Sequence, residues 1–188
     1  MAVGDVVGRG IPAATVMGQL RTALRAYALE GHGPARTLDH LDAFATTIDG
    51  AFCASVVYAE LDLVTGELWY SSAGHPPPVL VTPDSQISVL WEGRSPLLGI
   101  DTTTHKAQAL VQMPVNARLL LFTDGLIEAQ TRGIDQGLDE LAEHLQYDHD
   151  IDLDTLVKKI DVHEAYNDDI CVLSLTRRNV PAGETGTL

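Results

Sequence analysis

Apolar residues near the start of the chain recur at helical spacing. After Gly10, the positions Ala13, Val16, Met17, Leu20, Leu24 and Tyr27 fall on one face, with Pro12 in the first turn and Gly31 just past the end. A second helix is predicted from Gly33-Pro34 to Gly50, with Leu38, Leu41, Ala45 and Ile48 on one face. Both stripes need a partner layer, so the pattern predicts two helices packed side by side. At Ala51 the period changes. The runs Phe52 to Tyr58 and Leu68 to Ala73 read as strands joined through Asp62 to Gly66, where Thr65-Gly66 suits a hairpin turn. Further strands are predicted at Val79 to Val81, Ile87 to Leu90, Lys106 to Val111 and Arg118 to Phe122. Helices then follow at Leu138 to Leu145 and Leu153 to Ile160, before a last strand at Ile170 to Leu175.

A helix pair, a block of strands with hairpin signals, more helices and a final strand make an α+β order, not a regular βαβ alternation. The chain of 188 residues, 45% hydrophobic, is long enough for one domain with a substantial core and too short for a second full one. Residues 179–188, rich in Gly, Thr and Pro, read as a flexible tail or the start of a linker. The net charge of −14, from 26 acidic against 12 basic residues, disfavours nucleic acid and acidic membrane surfaces as partners. No apolar window reaches the length of a membrane span, and no signal-peptide pattern opens the chain. Cys53 and Cys171 each lie in an apolar run and are expected to be buried free thiols. The expected setting is the cytoplasm.

The chemistry concentrates in three short acidic turns beside apolar runs: Gly4-Asp5-Val6-Val7-Gly8-Arg9-Gly10, Thr123-Asp124-Gly125 and Asn167-Asp168-Asp169. Such an arrangement can gather carboxylates at one end of a sheet. Oxygen-only donors suit hard cations such as Mg²⁺ or Mn²⁺, and no His/Cys spacing of a zinc site occurs. Taken singly, Asp5 and Asp124 equally suit capping or turn roles, and an exposed polar turn would also tolerate Asp168 and Asp169. His75, followed by three prolines, reads as the anchor of a rigid turn. Trp69 and Trp91 read as core or sheet-surface residues. Arg21 and Arg25 read as a solvated stripe on the first helix, with docking of a regulatory segment as the competing reading.

Three further motifs join these turns: Met17-Gly18-Gln19-Leu20-Arg21, Ser72-Ala73-Gly74-His75-Pro76-Pro77-Pro78 and Pro96-Leu97-Leu98-Gly99. The longer run Leu120-Leu121-Phe122-Thr123-Asp124-Gly125-Leu126-Ile127-Glu128 completes the set. In this order and with these flanks, the chain resembles the metal-dependent PPM-type serine/threonine phosphatases. It is most similar to the bacterial group of stage II sporulation protein E and the phosphatases that regulate stress-response sigma factors. The resemblance runs from Val3 to about Thr176, within a phosphatase domain placed at residues 1–178.

The resemblance implies a sandwich of two antiparallel sheets flanked by helix pairs, with two Mg²⁺ or Mn²⁺ ions at one end. Asp5 would bridge both ions, the Val6 carbonyl would help hold the second, and Asp124 and Asp168 would ligate the first. Asp169 would stand behind them or bind their water. A water held between the two cations would lose a proton near neutral pH and attack phosphorus in line. Arg9, where this group commonly has His, is a candidate phosphate ligand, with a solvent-facing helix start as the competing reading. The family's opening strand pair and its Gly-Gly-Asp-type motif do not precede Met1. The implied consequences are a weakly held second ion, a sheet short of strands and an open strand edge that a homodimer could cover. The implied substrate is a phosphorylated anti-anti-sigma factor, a small STAS-type domain, with control by a sensory domain or partner acting through the helix pair from Ala13 to Gly50. The rival from another class is a non-catalytic module of phosphatase fold that binds a phosphoprotein. A Ca²⁺-stabilised structural domain is weaker, because the acids form no compact calcium loop.

Overall fold

A computed structural model describes residues 1–51, 53–128, 132–160 and 169–179. Its elements in chain order are β1 (Ala2–Asp5), α1 (Ile11–Ala28), α2 (Pro34–Ala45), β2 (Ser55–Leu61), β3 (Glu67–Ala73), β4 (Val79–Val81), β5 (Ile87–Val89), β6 (Arg94–Ser95), β7 (Ala109–Gln112), β8 (Arg118–Phe122), a 3₁₀ turn (Asp124–Leu126), α3 (Ile134–Tyr147), α4 (Leu153–Ile160) and β9 (Val172–Thr176). One sheet runs β1-β2-β3-β6 with β7 also on β3, and the other runs β5-β4-β8-β9. All pairings are antiparallel except β3 with β6.

Alternation along the strands explains the four layers. In β8, Leu119 and Leu121 enter the core between the sheets, while Leu120 and Phe122 face α3 and α4, so a strand buried on both sides reads as an unbroken apolar run. In β2, Val57 and Ala59 point between the sheets, and Val56 and Tyr58 point to the helix pair. The stripe Val16, Leu20 and Leu24 of α1, with Leu38, Leu41 and Ala45 of α2, covers that outer face. Leu138, Leu141 and Leu145 of α3, with Leu156 and Ile160 of α4, cover the opposite one. At roughly 1.5–3 kcal/mol for each large apolar side chain buried, these three interfaces dominate the folding energy.

Several details depart from the expectation. The strand predicted from Lys106 starts only at Ala109, because Lys106 turns inward to a buried partner. α2 ends at Ala45, and turns carry the chain to Gly50. β6 was not foreseen. Cys171 is exposed and Cys53 half-buried, so neither is a core thiol. Trp69 and Trp91, by contrast, take the surface alternative of their expected roles, 36% and 40% exposed.

Polar groups lock the layers together. Lys106 Nζ lies 3.0 Å from Asp42 Oδ2, with side chains 0% and 3% exposed, and the other Asp42 oxygen accepts the Gly99 N–H at 2.8 Å. Asp39, one turn earlier, accepts the Lys106 N–H at 2.7 Å. These two acids clamp α2 to the 96–106 loop. Leu98 of that loop donates its N–H to the carbonyl of Ala54, the residue before β2, and its own carbonyl accepts the Cys53 N–H. Arg118 donates to the Ile151 and His149 carbonyls and to Ser174 Oγ, while Arg177 donates to the Met113, Leu63 and Val64 carbonyls.

Removing one member of a buried pair strands the other charge, which typically costs about 3–5 kcal/mol. Lys106→Met is therefore expected to lower the urea-unfolding free energy by about that amount. Adding Asp42→Asn, which removes the orphaned charge but keeps an acceptor for Gly99, should restore part of the loss. Equal stability of wild type and Lys106→Met would contradict the clamp.

Candidate metal centre

Asp5 closes β1 opposite Ser55 of β2. The approach is close at the preceding residue: a Cβ on Gly4 would stand 2.8 Å from the Ser55 carbonyl oxygen, which explains glycine there. Val6 is buried, and the chain then turns through exposed Gly8, Arg9 and Gly10 into α1. Arg9 thus sits at the helix start, exposed to solvent.

Asp124 begins the 3₁₀ turn directly after β8, and its carbonyl accepts the Ile127 and Glu128 N–H groups. Against the far side of this turn packs Gly137 of α3, where any Cβ would overlap the Ile127 carbonyl. Buried Thr123 holds a third segment in place. Its Oγ1 donates to the Asp169 carbonyl at 2.9 Å and accepts the Cys171 N–H at 2.9 Å, and its own N–H donates to the Cys171 carbonyl. The exposed residue Asp169 is thereby tied beside Asp124. Arg132 ties the turn to the helices, donating to the Leu126, Ile127 and Ile160 carbonyls and pairing with Glu140 at 2.8 Å.

His75 joins the two sheets at this end. Its Nδ1 lies 2.7 Å from Ser55 Oγ, opposite Asp5, and its carbonyl accepts from Ser72 Oγ. The ring is 2% exposed, and burial pushes its pKa down to about 4, opposed only in part by the nearby Phe122 carbonyl. Nε2 completes no hydrogen bond of ordinary geometry among the described residues, so the carbonyl acts through its dipole and the ring stays neutral at pH 7. β1 also contacts β8 directly. A short path, Asp5 to Ser55 to His75 to Phe122 to Asp124, therefore connects the two acidic turns.

An open cleft of about 560 Å³ borders Asp124, with Gly74, His75, Trp91, Arg94, Glu128 and Asp135 among its walls. Among the described residues, no three His, Cys, Asp or Glu side chains are grouped closely enough to hold an ion. Asp168, the remaining ligand implied by resemblance, lies outside the described residues. The candidate donors Asp5, the Val6 carbonyl, Asp124 and Asp169 are all hard oxygens. That chemistry fits Mg²⁺ or Mn²⁺ and not zinc.

The family model for stage II sporulation protein E (SpoIIE) matches residues 1–178. The chain belongs to this family. A curated relative, the phosphoserine phosphatase RsbU of Bacillus subtilis, is 26% identical over 132 residues, covering 70% of this chain and 39% of RsbU. The solved RsbU and RsbW domains of Rv1364c from Mycobacterium tuberculosis superpose with a TM-score of 0.86 at 33% identity, over 94% of this chain and 51% of that one. The PP2C phosphatase domain of SpoIIE from Bacillus subtilis gives 0.78 at 15% identity, over 96% and 54%. This SpoIIE-family chain thus spans about half the length, or less, of these relatives. Among the described residues, the two sheets and four helices form the PP2C phosphatase fold. No helix among the described residues is long and apolar enough to cross a membrane.

No pattern in the chain marks Thr123 as a clasp or Arg132 as a brace, because both act on backbone groups that no spacing reveals. For His75, a neutral folded form against an unfolded pKa near 6.5 means the unfolded state binds the extra proton as pH falls. The contribution of the buried ring is complete above about pH 6.5 and drains away toward pH 4. Urea unfolding should therefore show stability falling by about 2 kcal/mol between pH 7 and pH 5. A His75→Gln variant should lose that part of the slope, and an unchanged slope in the variant would contradict the assignment.

Proposed function

We propose that the chain is a metal-dependent protein serine/threonine phosphatase that acts on phosphoserine or phosphothreonine of a regulatory protein. The observation that carries the proposal is the path of contacts through His75, hydrogen-bonded to Ser55 opposite Asp5 and lying near the Phe122 carbonyl, which leads from the β1 end bearing Asp5 to the β8 end beside Asp124 and an open cleft. Family membership and the likeness to RsbU support the same reading.

In this reading Asp5, the Val6 carbonyl, Asp124 and Asp168 hold two Mg²⁺ or Mn²⁺ ions, with Asp169 behind them. RsbX, another protein of this fold (TM-score 0.65), has been solved in complex with magnesium. When bound, such ions activate water and offset charge on the phosphoryl oxygens. The protein's own residues set the geometry. Thr123 fixes the Asp169 backbone against Asp124, and the close β1–β2 approach at Gly4 fixes Asp5. His75 moves no proton, since it is neutral, buried and bonded to Ser55.

The preferred substrate class is a phosphorylated anti-anti-sigma factor, supported by the relatives' names, RsbU and the RsbU and RsbW domains of one chain. Control by a sensory domain or partner acts through the helix pair. α1 begins at Ile11, soon after Asp5, and α2 is bonded through Asp42 to Gly99, next to the Leu98 bridge to Ala54. A shift of either helix thus reaches the strand end that carries Asp5.

The second reading is a binding module of the same fold without turnover. Hydrolysis of an aryl phosphate with Mn²⁺ separates the two. Outer-shell changes at metal sites cost about 10–100-fold, so Asp124→Asn, which removes a ligand, is expected to cost more than that. Wild type that bound Mn²⁺ by calorimetry yet turned over no faster than Asp124→Asn would establish the binding module instead.

A further inference from the structure

We infer that Arg94, held over Trp91 at the wall of the Asp124 cleft, is the cation that recognises the phosphate of a phosphoserine or phosphothreonine peptide. The inference rests on the phosphatase reading above and names the residue that would confer its preference for phosphorylated protein. The guanidinium carbon lies over the Trp91 ring, 4.7 Å from its centroid, a cation–π contact that holds the planar fork at the cleft wall.

The backbone beneath it is fixed from both sides. Arg94 stands opposite Ser72 in the parallel β3–β6 pairing, and the flanking Gly93 and Ser95 carbonyls accept the Ser72 and Gly74 N–H groups at 2.9 Å. The same turn carries His75. Arg94 and the junction of the two acidic strand ends are therefore parts of one short framework.

Charge singles Arg94 out. The other ionisable walls of the cleft among the described residues are Asp124, Glu128 and Asp135, with His75 neutral, so Arg94 is the one fixed cation described there. Glu128 and Asp135 would repel an incoming phosphate. Arg94 makes no ion pair among the described residues, whereas Arg132 nearby is committed to Glu140 and three carbonyls. An uncompensated, pre-oriented guanidinium in an acidic cleft suits a bidentate oxyanion contact, and exposed Trp91 offers an apolar platform for the flanking peptide. Arg9, by contrast, is exposed in the turn before α1 and is not among the described residues lining this cleft.

Trp91 supplies the readout. In a Trp69→Phe background it is the remaining tryptophan, and its fluorescence should report binding of a phosphoserine peptide to the metal-free protein in EDTA. A charged hydrogen-bonded contact is commonly worth a factor on the order of ten in affinity. The phosphopeptide should therefore bind about tenfold tighter than its serine counterpart, and Arg94→Ala should erase that difference without changing the melting temperature. Arg94→Lys, which keeps the charge and loses the fork, should fall between them. Equal discrimination by wild type and Arg94→Ala, or none by wild type, would overturn the inference. Aryl phosphate hydrolysis by wild type with Mn²⁺ is read separately: its absence would sink the phosphatase reading while leaving the Arg94 result to stand on binding.

Discussion

The structure depends on a neutral imidazole buried where the two sheets meet. His75 hydrogen-bonds Ser55 on one sheet, and its ring lies near the Phe122 carbonyl on the other. Hydrophobic burial holds the layers face to face but is non-directional, and it would tolerate small slides of one sheet over the other. A hydrogen bond inside a dry junction is not so tolerant. It holds His75 against Ser55 of β2, opposite Asp5, while packing keeps the ring near the Phe122 carbonyl at the end of β8.

Around that junction the polar interior is spent on backbone groups. Thr123 and Arg132 meet main-chain carbonyls or N–H groups at this end, and Arg118 and Arg177 do the same at the opposite ends of β8 and β9. Asp39 and Asp42 do the same for the 96–106 loop under α2. Buried polar groups must be paired, so these contacts give irregular segments a single conformation where helix and strand ladders cannot. The result is a rigid platform at one end of the sandwich, with the α1–α2 pair attached to it by the Asp5 turn and by the Asp42 clamp.

Most of this architecture was legible in the chain. The helical stripes, the hairpin at Thr65-Gly66 and the twice-buried β8 all follow from periodicity, since each element repeats one local rule over several residues. His75 as a turn anchor was legible too, from the prolines that follow it. What escaped was set by contacts between segments distant in sequence. β6 is two residues long and exists because its carbonyls meet N–H groups of β3 and the Gly74 turn, which no side-chain pattern announces. Lys106 looked like the start of a strand, yet its partner lies far away on α2. Cys171 follows the exposed Asp169 and Ile170 at the mouth of β9 and so faces solvent despite its apolar neighbours. The acidic turns are visible as a motif, whereas the contacts that lead from Asp5 through Ser55 and His75 toward Phe122 come from the sandwich and not from spacing.

The most direct test is diffraction from crystals soaked in Mn²⁺, recorded where manganese scatters anomalously. The account predicts an anomalous peak in contact with carboxylate oxygens of both Asp5 and Asp124. A well-ordered structure with those two carboxylates on separate surfaces, or with manganese bound only elsewhere, would contradict it.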